Sequence, residues 1–131
     1  MGINRRDFLK GASSLALFSI VPSKVLGGPN HVAPSDQLTK GIIGVGGIGR
    51  SSYHFTSDER CRLVAVCDVD SNHVQKAVDL EKKKFNETVQ TYHDFRDLVK
   101  DPNVDVVHIA TPPHWHALMA IEAAKAGKDI W

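Results

Sequence analysis

The sequence predicts an α/β fold, a doubly wound parallel sheet with helices on both faces. Three observations carry this. Short apolar runs alternate with helix-like segments four times along the chain. The runs are nearly continuous in apolar character, as in strands covered on both faces. A glycine loop, Gly44-Val45-Gly46-Gly47-Ile48-Gly49, joins the first run to the first helix, the layout of a Rossmann-type domain. Right-handed crossovers then give the expected strand order 3-2-1-4-5.

The elements follow in turn. Gly41-Ile42-Ile43-Gly44-Val45 is the first buried strand. The glycine loop leads into a helix of about ten residues ending near Ser57. Residues 62–67 form the second strand, which ends in Asp68, and Ser71 is placed to cap a helix with Val74, Ala77, Val78 and Phe85 at helical spacing. Val89-Gln90-Thr91-Tyr92 is a weaker third strand. Asp94 opens a short helix with Phe95, Leu98 and Val99 on one side, and Asp101-Pro102-Asn103 is a turn. Residues 104–110 are the fourth strand, stopped by Pro112 and Pro113. Residues 116–126 are an alanine-rich helix with Gly127 as its left-handed stop. Asp129-Ile130-Trp131 begins a fifth strand, in or after which the sheet is expected to be cut short.

Composition sets bounds on function. At 131 residues there is room for one domain; 42% hydrophobic and 24% charged residues with a net charge of +1 describe an ordinary globular chain. The single basic run, Lys82-Lys83-Lys84, ends a predicted helix and has no interleaved aromatics, so it reads as a solvated face and not a nucleic-acid surface. Cys61 and Cys67 lie in one predicted strand, about 20 Å apart if extended, beyond disulfide reach.

The N-terminus carries an address. Asn4-Arg5-Arg6-Asp7-Phe8-Leu9-Lys10 is a twin-arginine pattern followed by a short apolar stretch over residues 11–21, too short for a stable bilayer span. Residues 1–27 are therefore expected to be a twin-arginine signal peptide, with cleavage after Gly27, and residues 28–39 a linker. The protein is expected to be periplasmic or otherwise exported, and to engage the twin-arginine machinery, which carries folded proteins. Loss of four basic residues and one acid takes the remainder from +1 to −2.

The chemistry gathers at the carboxyl ends of the strands. Gly44 permits the tight turn, Gly46 leaves room for a pyrophosphate against the backbone, and Gly49 lets helix and sheet pack closely. The helix N-terminus offers free N–H groups to phosphates. Asp68, 19 residues beyond Gly49, is placed to accept hydrogen bonds from a ribose 2′-hydroxyl. Its charge repels a 2′-phosphate and Val69-Asp70-Ser71 holds no arginine, so NAD is favoured over NADP. Asp70 either shares the ribose or caps the next helix. Thr111-Pro112 faces the cofactor across the switch point. His114-Trp115-His116 has two histidines but no acid or cysteine beside them, a poor zinc site, so no metal is assigned. One of these histidines is expected near the nicotinamide, with Trp115 over the cleft. His54, His73, His93 and His108 form no convergent pattern and are read as bystanders.

From about Lys40 to Trp131 the chain resembles the N-terminal part of the Gfo/Idh/MocA oxidoreductase family. The resemblance rests on the glycine loop, Val66-Cys67-Asp68-Val69-Asp70, and Thr111-Pro112-Pro113-His114-Trp115-His116 leading into Ala123-Ala124-Lys125-Ala126-Gly127-Lys128. It implies hydride transfer between NAD(P) and a sugar, cyclitol or related polyol, in a full-length protein that is a homo-oligomer. A glycosidase using a tightly held NAD belongs to the same family and is the alternative, as is a fragment that only binds nucleotide. Carried over by residue, Gly44, Gly46, Gly47, Ile48 and Gly49 would line the pyrophosphate. Asp68 would meet the adenosine ribose, and Thr111, Pro112 and His116 would border the nicotinamide. The family's Glu-Lys-Pro motif and its substrate domain are absent from these residues, so no catalytic residue is assigned.

Overall fold

The computed structural model describes residues 28, 32–51 and 60–131. The expected signal peptide with its cleavage point, His54, and the end of the first helix near Ser57 lie outside the described residues. Among the described residues the elements are β1 (Leu38–Ile43), α1 (Ile48–Ser51), β2 (Cys61–Cys67), α2 (Ser71–Phe85), β3 (Gln90–Tyr92), α3 (Phe95–Lys100), β4 (Val106–Ile109), α4 (Pro113–Lys125) and β5 (Asp129–Ile130), after a 3-10 turn at Pro34–Asp36. The five strands are parallel in the order β3-β2-β1-β4-β5, the order expected of right-handed crossovers.

The two sheet faces bury separate clusters. Ile43, Ala65, Cys67, Val107 and Ile109 pack under Phe95, Leu98 and Val99 of α3 and Met119 and Ala123 of α4. Ile42, Leu63 and Val66 pack under Ala77 of α2, with Val45 and Val89. Alternation sends Ile42 and Ile43, and Val66 and Cys67, to opposite clusters, and each fully buried aliphatic chain contributes roughly 1.5–3 kcal/mol. Cys61 and Cys67 stand at opposite ends of β2 and form no disulfide among the described residues; burial and the nearby carboxylates push the Cys67 thiol up to about 12.

Several boundaries differ from the sequence reading, each for a local reason. β1 starts at Leu38, before the apolar run, because Leu38 to Lys40 already pair with β2 and the Asp105 carboxylate accepts from Thr39 N and Oγ1 at 2.8 and 2.7 Å. Asp70, not Ser71, caps α2: its Oδ1 accepts from the Asn72 N–H at 2.8 Å. This decides between the two roles that sequence left open for Asp70 as far as the cap is concerned. Asp94 caps α3 in the same way. α4 starts at Pro113, three residues earlier than expected, since a proline at the first helical position gives up an N–H that has no partner there. His114 and Trp115 thus stand on the first helical turn and not in a loop. Gly127 adopts φ +73° after α4 and closes it as expected.

The α2 side of the sheet carries an unusual polar group. Lys40, Glu81 and His108 are all buried, and Lys40 Nζ, Glu81 Oε1 and His108 Nδ1 find no hydrogen-bond partner among the described residues. Lys40 Nζ lies 5.7 Å from the Trp131 ring centroid, and His108 stacks on that ring at 5.2 Å. Burial lowers the Lys40 pKa from 10.5 and the His108 pKa from 6.5, and raises that of Glu81 from 4.5. Folding therefore favours the neutral form of each. For Lys40 the unfolded chain binds more protons between its lowered folded value and 10.5, so stability rises with pH across that window. Lys40→Met, which keeps the chain length and removes a buried ammonium that has no hydrogen-bond partner among the described residues, is expected to raise stability at neutral pH by about 1–3 kcal/mol. The gain should shrink as pH climbs towards 10.5, where the wild-type lysine has shed its proton. Urea midpoints at two pH values check this; a destabilised variant at neutral pH would show that the buried ammonium is held by partners worth more than its desolvation.

Candidate dinucleotide site

Three strand ends build the site. Gly44 N donates to Cys67 O and Ala110 N to Ile43 O, both at 2.8 Å, so the chain leaves β1, β2 and β4 at one level. Gly44 turns there with φ +89°, and a Cβ on it would stand 3.0 Å from Ala110 carbonyl atoms and Thr111 Cγ2. A side chain is excluded by conformation and by space. At Gly49 the exclusion is stronger: a Cβ would lie 1.6 Å from Gly44 O and 3.1 Å from Ala110 Cβ. The first turn of α1 thus rests directly on the loop backbone. Gly47, by contrast, has nothing within 4 Å of a would-be Cβ; that side of the loop is open.

The open side borders a cavity of about 660 Å³ lined by Ile43 and Cys67 at the ends of β1 and β2 and by the segments that follow β1, β2, β3 and β4. Of the nine residues selected from sequence, Gly44, Gly46, Gly47, Asp68, Thr111 and Pro112 line it. Gly49 lies buried behind the loop, and Ile48 opens α1 with its side chain in solvent. His116 stands apart from the lining; its Nε2 lies 2.6 Å from Thr111 O and so ties α4 to the turn after β4. Trp115 does line the cavity, as expected of it.

Asp68 is the electrostatic centre. Its Oδ2 accepts from Val45 N at 2.8 Å and its Oδ1 from Asp70 N at 2.9 Å. One carboxylate thereby ties the glycine loop to the end of β2 and the start of α2. Each oxygen keeps further lone pairs for a ligand hydroxyl. The Asp70 pKa lies below its ordinary value, chiefly because the Asn72 backbone N–H donates to it. The cavity combines bare glycine backbone, an acid at the tip of β2 and the apolar Val69, Phe95 and Met119. That donor set fits a dinucleotide: backbone for pyrophosphate, carboxylate for ribose hydroxyls, apolar wall for a ring.

Among the lining residues that sequence reasoning did not select are Arg96, Met119 and two histidines read as bystanders, His73 and His93. His73 follows the cap Asp70 by one helical turn, and that spacing is the signal that could have found it, since such a residue faces back toward the cap. Among the described residues no group of three or more His, Cys, Asp or Glu gathers to hold a metal ion.

Comparison with known proteins agrees with this geometry. Residues 38–131 match the profile of the Gfo/Idh/MocA family, described as an oxidoreductase family with an NAD-binding Rossmann fold. Glycosyl hydrolase family 109 protein 2 of Shewanella sp. is 34% identical over 155 aligned residues, covering 99% of this chain and 33% of that protein. The chain thus spans about a third of the length of the curated relatives it matches. Scyllo-inositol dehydrogenase from Lactobacillus casei, solved with NAD(H) and scyllo-inositol, superposes with a TM-score of 0.61 at 26% identity, over 72% of this chain and 27% of that one. Biliverdin reductase from Synechocystis, solved with biliverdin and NADP+, does so with a TM-score of 0.60 at 30% identity, over 71% and 28%. The chain belongs to the Gfo/Idh/MocA oxidoreductase family and forms its NAD-binding Rossmann domain.

Proposed function

We propose that this chain is the cofactor-binding part of an exported enzyme that acts on a sugar, cyclitol or related polyol by hydride transfer, with NAD preferred over NADP. The observation that carries the reading is the Asp68 carboxylate beside an open glycine loop in a 660 Å³ cavity. When bound, NAD supplies a reversible hydride acceptor. The residues of this chain do the holding. The Gly46–Gly47 backbone lets phosphates approach, Ile48 and Gly49 aim the first turn of α1 at them, and Asp68 selects a free ribose hydroxyl. Thr111 and Pro112, fixed by the His116 contact to Thr111 O, border the nicotinamide end. The twin-arginine pattern at Arg5-Arg6 supports export and a periplasmic location, and the alignment to the Shewanella relative extends over 99% of the chain, this segment included. The full-length protein is taken to be a homo-oligomer.

A second reading is favoured by the names of those relatives. In that reading a tightly held NAD would supply a reversible hydride acceptor for one sugar carbon; loss of a proton beside the new carbonyl would expel the glycosidic oxygen, water would add to the unsaturated sugar, and return of the hydride would complete a hydrolysis with no net change in the cofactor. The two readings separate on a longer polypeptide that joins this chain to a downstream domain. Offered free sugars and cyclitols with NAD, the dehydrogenase accumulates reduced nicotinamide. Offered aryl glycosides, the glycosidase releases the aglycone with none. If neither reduced nicotinamide nor a cleaved glycoside appears across a broad panel, both enzyme readings fail and a nucleotide-binding role alone is left.

A further inference from the structure

His73 occupies a position that the binding scheme above leaves without a task. From one turn inside α2 its ring reaches back to the end of β2, with Nδ1 3.6 Å from Asp68 Oδ2 and Nε2 3.8 Å from Asp70 Oδ2. A carboxylate therefore flanks each ring nitrogen. The ring also underlies the glycine loop, since Cε1 and Nδ1 lie 2.9 Å from where a Cβ on Gly46 would stand. His93, Asp94 and Arg96 contribute to the wall of the same cavity from the β3–α3 side. The His73 side chain is 38% exposed, so solvent protons reach it.

Neither carboxylate contact is short enough to be a hydrogen bond. With the ring neutral, Asp68 keeps its further lone pairs for a ribose hydroxyl, and the ring offsets neither the Asp68 nor the Asp70 charge. With the ring protonated, both nitrogens become donors. The imidazolium then competes with the ribose for Asp68 and adds positive charge beside two carboxylates, in a cavity whose β3–α3 wall already carries Arg96, itself 3.2 Å from Asp94 Oδ1. Both effects move preference in one direction. We propose that His73 is a specificity-determining residue of this site: neutral, it enforces NAD, and protonated, it admits NADP. The inference rests on the reading of the cavity as a dinucleotide site.

Calorimetric affinities of the 131-residue chain for NAD and for NADP, taken from about pH 8 down to about pH 5.5, the range in which histidines as a class change charge, test it. H73Q and H73K are measured alongside. The 2′-phosphate of NADP itself takes up a proton near pH ~6, but that contribution is common to all three proteins. The preference for NAD over NADP should fall with pH in the wild-type chain by about fivefold more than in H73Q, the size of one unit-charge interaction at a solvent-exposed site. H73K should hold the low preference at every pH. A wild-type profile that parallels that of H73Q, or an H73K that keeps the high-pH preference, overturns the proposal. If neither dinucleotide binds the folded wild-type chain, the cofactor reading itself falls and the role of His73 with it.

Discussion

Gly49→Ala is expected to destabilise the domain by about 3 kcal/mol or more and to abolish dinucleotide binding. The methyl group would stand 1.6 Å from Gly44 O and 3.1 Å from Ala110 Cβ. The nearer contact is backbone, with no flexible side chain to yield. Relief requires lifting α1 away from the loop or moving the loop off the end of β1, where Gly44 N is bonded to Cys67 O and Ala110 N to Ile43 O. Either movement opens the junction on which the cavity depends. Gly47→Ala provides the contrast. Its Cβ meets nothing within 4 Å, so stability should stay within about 0.5 kcal/mol, while the methyl group stands in the cavity and weakens binding. Urea unfolding and calorimetry on the two variants separate packing from ligand contact. Equal stability for both would show that the loop–helix junction is looser than this geometry.

Asp68→Ala is expected to weaken NAD binding about tenfold or more and NADP binding by less, so that the preference for NAD collapses. The variant removes the acceptor for the ribose hydroxyl and also the charge that repels a 2′-phosphate. It further leaves Val45 N, on a buried residue, and Asp70 N without the bonds they make at 2.8 and 2.9 Å. Stability should therefore fall by about 1–3 kcal/mol. Asp68→Asn keeps an acceptor oxygen but not the charge. It should retain more of the stability and still lose discrimination. An unchanged NAD affinity in Asp68→Ala would remove the ribose assignment.

Much of this was legible in the sequence because the signals are local. Near-continuous apolar runs fix where strands lie, the helices between them force parallel pairing, and handedness fixes the order. The glycine loop carries its own steric logic, so Gly44 and Gly49 could be read from spacing alone. Helix starts were less legible. Ser71 and Asp70 are both good caps, and only the backbone turn at the end of β2 decides for Asp70. Pro112-Pro113 reads equally as a strand stop and a helix start, and here it is both. The second use of Asp68, as a tether between loop and helix, needs the distance between segments 23 residues apart. For His73 the i,i+3 spacing from the cap Asp70 is legible, but the approach of Asp68, from the end of β2, is set by the fold. The buried Lys40, Glu81 and His108 were likewise invisible, since each looks like an ordinary polar residue until the sheet and α2 close over it.

The cavity at the carboxyl ends of β1, β2 and β4 is proposed as the NAD site. Titration of the isotope-labelled chain with NAD, followed through its amide chemical shifts, tests it most directly. Saturable shifts are expected at Gly46, Gly47, Val69 and Thr111, which line that cavity, with the same residues responding less to NADP. Shifts confined to the separate groove lined by Arg62, Gln90 and Asn103, or no saturable shift in a folded chain, would contradict it.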